Sequence, residues 1–386
     1  MKRAVRVLLI LTALRAWAVP AFAQNAATVP RIILFIGDGV GTGQWTAAAF
    51  AADRLAVHQF PVVGLVDVRP TDQKITDSAA SATAYATGVR TYNGAIGVAP
   101  DSTPVPTILE LATERGLATG LVATSRITHA TPASFAAHVP DRGMEMEIAR
   151  QMIQDHEITV IMGGGRAWFD GRRRPDARDL LAEVRARYTV ITTPEALEAV
   201  DATGMDRLFA LVSEDHMPAA VQAIRNHGRR PEADTGAGDE GGETWLPLRI
   251  PTLGKMTSVS LDVLDRDPDG FFLMVEAAQP DWRSHGNEPL GAVVGEMLDF
   301  DGAIAAALEY QRRRPETLIL VTGDHETGGL AIQYGRGGSL VAAYTTGDHT
   351  AQLIPLFAKG PGAERFAGVH HYDEVGRRLL QYLQDR

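Results

Sequence analysis

The sequence predicts an α/β fold in which a central, mainly parallel β-sheet is sandwiched between helices. Short apolar runs recur along the chain with helical stretches between them, and several of those runs hold no polar residue for four or more positions. A strand that is apolar on both faces must be covered on both, as crossover helices do for a parallel sheet. The longest intervening stretches carry apolar residues three and four apart, the helical period.

Taken in order, the strand-like runs are RIILFIG (31–37), VVGLVDV (62–68), ATGLVAT (118–124), TVIMGG (159–164), LFALVS (208–213), GFFLMVE (270–276) and TLILVTG (317–323). PTILELATERG, after Val105, reads as a helix, and so does GAVVGEMLDFDGAIAAALEYQRR from Gly291. From Asp77 to Gly88 the residues are almost all Ala, Ser or Thr. They favour a helix that begins near Ser78 and stops at Gly88, a residue suited to a left-handed C-cap. Residues 226–247 lose periodicity and are rich in Gly and charge, which predicts a mobile loop or small insertion inside one domain, because strand signals resume beyond it.

The chain has 386 residues, 45% of them apolar, and an ordinary charge content, which together predict a globular protein. Residues 1–23 read as a signal peptide. Lys2, Arg3 and Arg6 precede the apolar run VLLILTAL, and Ala21-Phe22-Ala23 supplies a small-x-small cleavage pattern before Gln24. That run is too short to span a bilayer, so an exported protein, periplasmic or secreted and without a membrane span after leader removal, is expected. The leader holds four positive charges and no negative ones, so its removal takes the formal charge from −10 to −14. So acidic a chain disfavours nucleic acid as a partner, and an anionic substrate needs a local positive centre. There is no cysteine, so any zinc must be held by histidine and carboxylate.

Three strand-like runs lead directly into an acid: Asp38, Glu276 and Asp324. Ligands of open α/β sheets collect at the carboxyl ends of strands. One acid there is ordinarily a helix cap or turn residue; three on one rim repel each other unless a cation lies between them. Asp281 and His285 are four apart and share a helix face, His325 adjoins Asp324, and His349 follows the β-like run SLVAAYTTG. Imidazoles and carboxylates without sulfur suit zinc, and the harder oxygens suit magnesium. His58, His156, His216 and His227 have no acidic partner at ligand spacing, and His370 and His371 sit among charges near the C-terminus; these read as ordinary surface or core residues. Ser78 lies at a helix N-terminus, where amides and the helix dipole favour an anion. Alone it reads equally well as a capping hydroxyl. Beside two metals it reads as a nucleophile.

From about Arg31 to His371 the chain resembles the alkaline phosphatase family, on IILFIGDGVG, TDSAASATAYATGVRTYNGAIGV, HATPASFAAHVPDR, MVEAAQPDWRSHGN, VTGDHETGGL and the late DHT. The resemblance implies one catalytic domain over 24–386. It also implies hydrolysis of a broad range of phosphate monoesters, with an alkaline optimum, through a phosphoserine on Ser78. By matching motif, Asp281, His285 and His349 would hold one zinc, and Asp38, Asp324 and His325 a second. Asp38, Thr131 and Glu276 would hold a third ion, usually magnesium. Arg142 falls where the family grips the phosphoryl oxygens. Two substrate-side positions vary within the family and are His129 and Trp282 here. The histidine removes a negative charge near the third ion, and with the tryptophan, which offers one donor and no charge, the phosphate contacts usually made through a lysine are absent. A homodimer is implied on the same basis. A diesterase would have no use for an arginine dedicated to two free phosphoryl oxygens, a sulfatase would need a Cys/Ser-x-Pro-x-Arg pattern, and a metal-storage protein would need no nucleophile.

Overall fold

The structure, a computed structural model, describes residues 29–225, 243–248 and 251–385. The expected leader lies outside the described residues, as does 226–242 of the aperiodic stretch. The strands are β1 (Arg31–Gly37), β2 (Val62–Asp67), β3 (Ala118–Arg126), β4 (Val160–Gly164), β5 (Thr189–Ile191), β6 (Leu208–Leu211), β7 (Val221–Arg225) and β8 (Glu243–Pro247). They continue with β9 (Phe271–Ala277), β10 (Thr317–Gly323), β11 (Glu326–Thr327), β12 (Ala331–Tyr334), β13 (Leu340–Ala343), β14 (His349–Thr350), β15 (Ile354–Lys359) and β16 (Gly368–His371).

Ten of them form one sheet in the order β16-β2-β15-β10-β1-β9-β3-β4-β6-β5. Only β15 runs against its neighbours; the other pairings in the sheet are parallel. The predicted fold class is therefore the observed one. One expectation needs correction: the aperiodic stretch is not loop as far as residue 247, because Glu243–Pro247 is β8, paired antiparallel with β7. Strand formation there depends on a partner across the gap, a contact that local composition does not encode.

β1 shows why the sheet is buried on both sides. Ile32, Leu34 and Ile36 point into one core with Ala79, Ala82 and Tyr85, while Ile33 and Phe35 point into the other with Trp45, Val293 and Phe300. All five β1 residues are fully buried, each such burial stabilising the fold by about 1.5–3 kcal/mol.

The small-residue helix spans Ser78–Thr87, and all ten of its residues are buried. Asp77 caps it, its carboxylate accepting from the amide of Ala80 at 2.9 Å, and Gly88 ends it at φ 69°. Small side chains let a second helix touch its backbone. A Cβ on Gly376, in the helix Tyr372–Gln384, would lie 2.2 Å from the carbonyl oxygen of Ala84. The Tyr85 hydroxyl donates to the carbonyl of Gly323 at 2.9 Å, tying this helix to the end of β10.

Candidate active site

Register brings the expected acids together. Gly37 pairs with Gly323 on one side and Ala277 on the other, so Asp38, Glu276 and Asp324 emerge side by side from three adjacent strands. Gly39 makes the turn that follows: its φ is +70°, its amide donates to Asp324 Oδ1 at 3.0 Å, and a Cβ on it would lie 2.6 Å from Asp281 Cα. Only glycine allows so close an approach at that backbone angle.

Three groups of ligand-type atoms result. His285 Nε2 lies 3.4 Å from Asp281 Oδ1 and 3.1 Å from His349 Nε2, and His349 Nε2 lies 3.7 Å from Asp281 Oδ1. His325 Nε2 faces Asp324 Oδ2 at 3.3 Å and Asp38 Oδ1 at 3.4 Å. Donor atoms of Asp38, His129 and Glu276 lie within 4.8 Å of one another, and Thr131 is buried in the short helix Ala130–Ala133. The first two groups adjoin through the stacked rings of His325 and His349, 3.5 Å between centroids. Ser78 Oγ lies 3.3 Å from His325 Nε2, the nitrogen that faces both carboxylates.

The ligand-type side chains are held from behind. His285 Nδ1 donates to the carbonyl of Gly347 at 2.6 Å and His349 Nδ1 to that of Thr76 at 2.8 Å, leaving both Nε2 atoms to point inward. The Thr327 hydroxyl donates to Asp281 Oδ1 at 2.5 Å, and the Ser125 hydroxyl to Glu276 Oε2 at 2.6 Å. Sequence reasoning passed over Thr327 and Ser125, although each stands within two residues of an expected ligand or at the end of a strand.

On the substrate side, Arg142 Nη1 donates to Asp77 Oδ2 at 3.1 Å and Nη2 to His129 Nε2 at 3.2 Å. Trp282 sits edge-to-face against His216, with centroids 4.3 Å apart, and 6.2 Å from the ring of His129. His216 was expected to be an ordinary histidine. It belongs to this rim because the fold, not its spacing, brings it to Trp282; burial first, then Arg126, pushes its ring down to about 4.

The electrostatics test whether cations fit. Both oxygens of Asp38, Asp324 Oδ2, Glu276 Oε1, Thr131 Oγ1 and His129 Nδ1 are buried with no hydrogen-bond partner among the described residues. Burial, then the charges of Asp324, Asp281 and Glu276, raise Asp38 well above the usual carboxylate range. Burial also raises Asp324 and pushes Glu276 up to about 7. His325 is held well below the usual range by burial and His349, and His129 by burial, Arg142 and His216. Divalent cations among these nitrogens and oxygens would satisfy the orphaned atoms and offset the repulsion, so the residues present fit such ions.

The same shifts set an expectation for the metal-stripped protein. Its raised carboxyls keep protons that the unfolded chain has released, so their contribution to stability falls as pH rises toward the folded values. Glu276 alone accounts for about 1 kcal/mol between pH 6.5 and 8, roughly 1–2 °C in melting temperature, and Asp38 adds to it. The histidines act in the opposite sense: the unfolded chain protonates them up to about pH 7.5, so His129, His216 and His325, which the fold holds neutral, add stability as pH rises toward that value. Melting of chelated wild type against chelated Glu276→Gln isolates the carboxyl: the stability of wild type relative to the variant should fall by that amount from pH 6.5 to 8, and a relative stability that rises contradicts it.

The sequence profile described as alkaline phosphatase matches residues 30–344. Alkaline phosphatase 3 of Bacillus subtilis is 35% identical over an alignment 449 positions long, gaps included, that covers 93% of this chain and 90% of the relative. Among solved structures, alkaline phosphatase from the Antarctic bacterium TAB5 is 34% identical, with a TM-score of 0.79 over 93% of this chain and 100% of that one. A histidine-to-glutamate variant of the TAB5 enzyme, with magnesium bound in its M3 site, is 33% identical, with a TM-score of 0.75 over 92% of this chain and 97% of that one. No helix among the described residues is long and apolar enough to cross a membrane.

Proposed function

Because this chain belongs to the alkaline phosphatase family and is a phosphomonoesterase, we propose that it works through a phosphoserine on Ser78 at a site for two zinc ions and one magnesium ion. The observation that carries this reading is the position of Ser78. Its hydroxyl stands at the first turn of a buried helix, 3.3 Å from His325 Nε2, beside buried oxygens of Asp38 and Asp324 that have no hydrogen-bond partner among the described residues.

Asp281, His285 and His349 would hold one zinc, Asp38, Asp324 and His325 the other, and Asp38, Thr131 and Glu276 the magnesium. When bound, such ions act as Lewis acids that lower the pKa of an oxygen nucleophile and offset charge on a departing one. Ser78 Oγ forms its bond to phosphorus as the bond to the substrate's alcohol oxygen breaks, and the alcohol takes up a proton. Water then forms a new bond to phosphorus as the serine–phosphorus bond breaks, and the serine regains its hydroxyl proton. Each displacement is in line, so configuration at phosphorus is retained overall. The N-terminal end of the Ser78–Thr87 helix favours the phosphoryl charge, and deprotonation of the groups at the ions gives an alkaline optimum. Export and a homodimer belong to the same reading; an N-terminus at Gln24 on the mature protein and its mass in solution test them.

Arg142 is held by the Asp77 carboxylate so that its remaining N–H groups can meet two phosphoryl oxygens, an arrangement that favours a monoester over a diester. The wild type is expected to hydrolyse p-nitrophenyl phosphate far faster than bis-p-nitrophenyl phosphate. Arg142→Ala should lose about 10²-fold in kcat/KM on the monoester and much less on the diester. Equal losses on the two substrates would remove the assignment.

Trp282 offers one neutral donor and no charge, so inorganic phosphate should bind weakly and leave quickly. Trp282→Lys places an ammonium on this rim and is expected to tighten inhibition by phosphate by about tenfold. If phosphate inhibits the variant no more tightly than wild type, the idea fails. His129 presents a neutral ring where an acid would add charge beside the third ion. Magnesium bound to the TAB5 variant in which glutamate replaces a histidine is the parallel for expecting weak magnesium binding here.

A further inference from the structure

Glu326 has no part in the chemistry above, yet it is fully buried and its carboxylate lies, among the described residues, in a cage of five donors. Oε1 accepts from Gln44 Nε2 at 3.3 Å and from the amide of Leu330 at 3.0 Å. Oε2 accepts from the amide of Gly329 at 3.2 Å, from Gln352 Nε2 at 3.3 Å and from the Thr350 hydroxyl. No basic side chain is among these five partners. Burying a carboxylate without a cation is costly, and here five neutral hydrogen bonds offset that cost. A cage of this kind needs both oxygens as acceptors; an amide would turn one donor against another.

The cage joins the segments that carry one group of ligand-type residues. Glu326 and Thr350 are cross-strand partners in the β11–β14 pair, and Thr350 directly follows His349. Gln44, in the helix Thr42–Ala51, also turns the same amide nitrogen to the Thr327 carbonyl at 2.9 Å and to Ser284 Oγ at 3.2 Å, its two hydrogens being shared among the three acceptors, and Ser284 directly precedes His285. Thr327 in turn holds Asp281. The backbone closes on this cage: a Cβ on Gly41 would lie 2.4 Å from Glu326 Cγ. One carboxylate thus couples β14 to the helix Gln279–His285, and so sets His349 against Asp281 and His285.

We infer that Glu326 is a positioning residue for the zinc site of Asp281, His285 and His349, raising that site's zinc affinity without touching the ion. The inference rests on the zinc reading above. It is tested by measuring zinc binding to wild type, Glu326→Gln and Thr350→Val in competition with a chromogenic chelator, alongside melting of the chelated proteins.

Wild type should bind two zinc ions tightly; fewer would overturn the zinc reading itself. Glu326→Gln should weaken one of the two by about 10–100-fold, leave the other within about threefold, and recover kcat at raised free zinc. Thr350→Val, which removes one donor and keeps the shape, should weaken the same ion by about 3–10-fold. Zinc binding at wild-type strength in both variants overturns the inference. Equal weakening of both ions together with a lower melting temperature also overturns it, since that marks a general structural role. Should Glu326→Gln fail to fold, Thr350→Val decides by the same two criteria.

Discussion

Ser78→Ala is expected to lower kcat for phosphate monoesters by roughly 10³-fold or more, with zinc content unchanged and no phosphorylated protein recovered on acid quenching. The size of the effect follows from what the hydroxyl does in the proposed mechanism. It splits one displacement into two, and without it water must attack the substrate directly. The residual rate comes from everything that still grips the phosphoryl group: the ions, Arg142 and the helix end. A hydroxyl serving only as a helix cap would matter far less, at about 1 kcal/mol, and Asp77 already accepts the hydrogen bond that caps this helix. Covalent phosphate found on the alanine variant, or a loss under tenfold, would place the nucleophile elsewhere.

Asp38→Asn should have an effect at least as large, on the order of 10³-fold or more in kcat, and should remove more than one ion. Asp38 belongs to two of the three groups of ligand-type residues, and both of its oxygens lack hydrogen-bond partners among the described residues. An amide presents one acceptor oxygen and one donor nitrogen. It can therefore serve at most one side. Chelation of wild type should reach the same residual activity, with zinc restoring most of it and magnesium the rest. Loss of a single ion from the variant, with activity regained by zinc alone, would show that Asp38 does not bridge the two groups.

How much of this was legible beforehand depended on how local the signal was. β1 and β10 match their runs because a fully buried parallel strand is a continuous apolar stretch, and the Ser78 helix carried both its cap and its Gly88 stop in sequence. Asp38, Glu276 and Asp324 announced themselves as acids ending such runs, and Asp281 with His285 by their spacing of four. Arg142, Thr131, His129 and Trp282 carried no such mark and were reached through the family resemblance alone. His216 could not be reached, since the rings it meets on this rim, Trp282 and His129, lie 66 and 87 positions away in the chain. β8 was lost for a similar reason, its partner lying on the far side of a Gly-rich stretch.

From residue order come the strands, the helix caps and the chemical types available for binding a cation, because burial, capping and a spacing of four are rules acting over a few residues. Tertiary structure alone decided that Ser78 meets His325, that three histidine–carboxylate groups adjoin, and that Glu326 underlies them. Those are pairings between parts of the chain far apart in sequence, set by the register of parallel strands and by backbones pressed together at Gly39, Gly41 and Gly376. Contact across such separations is a property of the packed sheet, and no short window of sequence contains it.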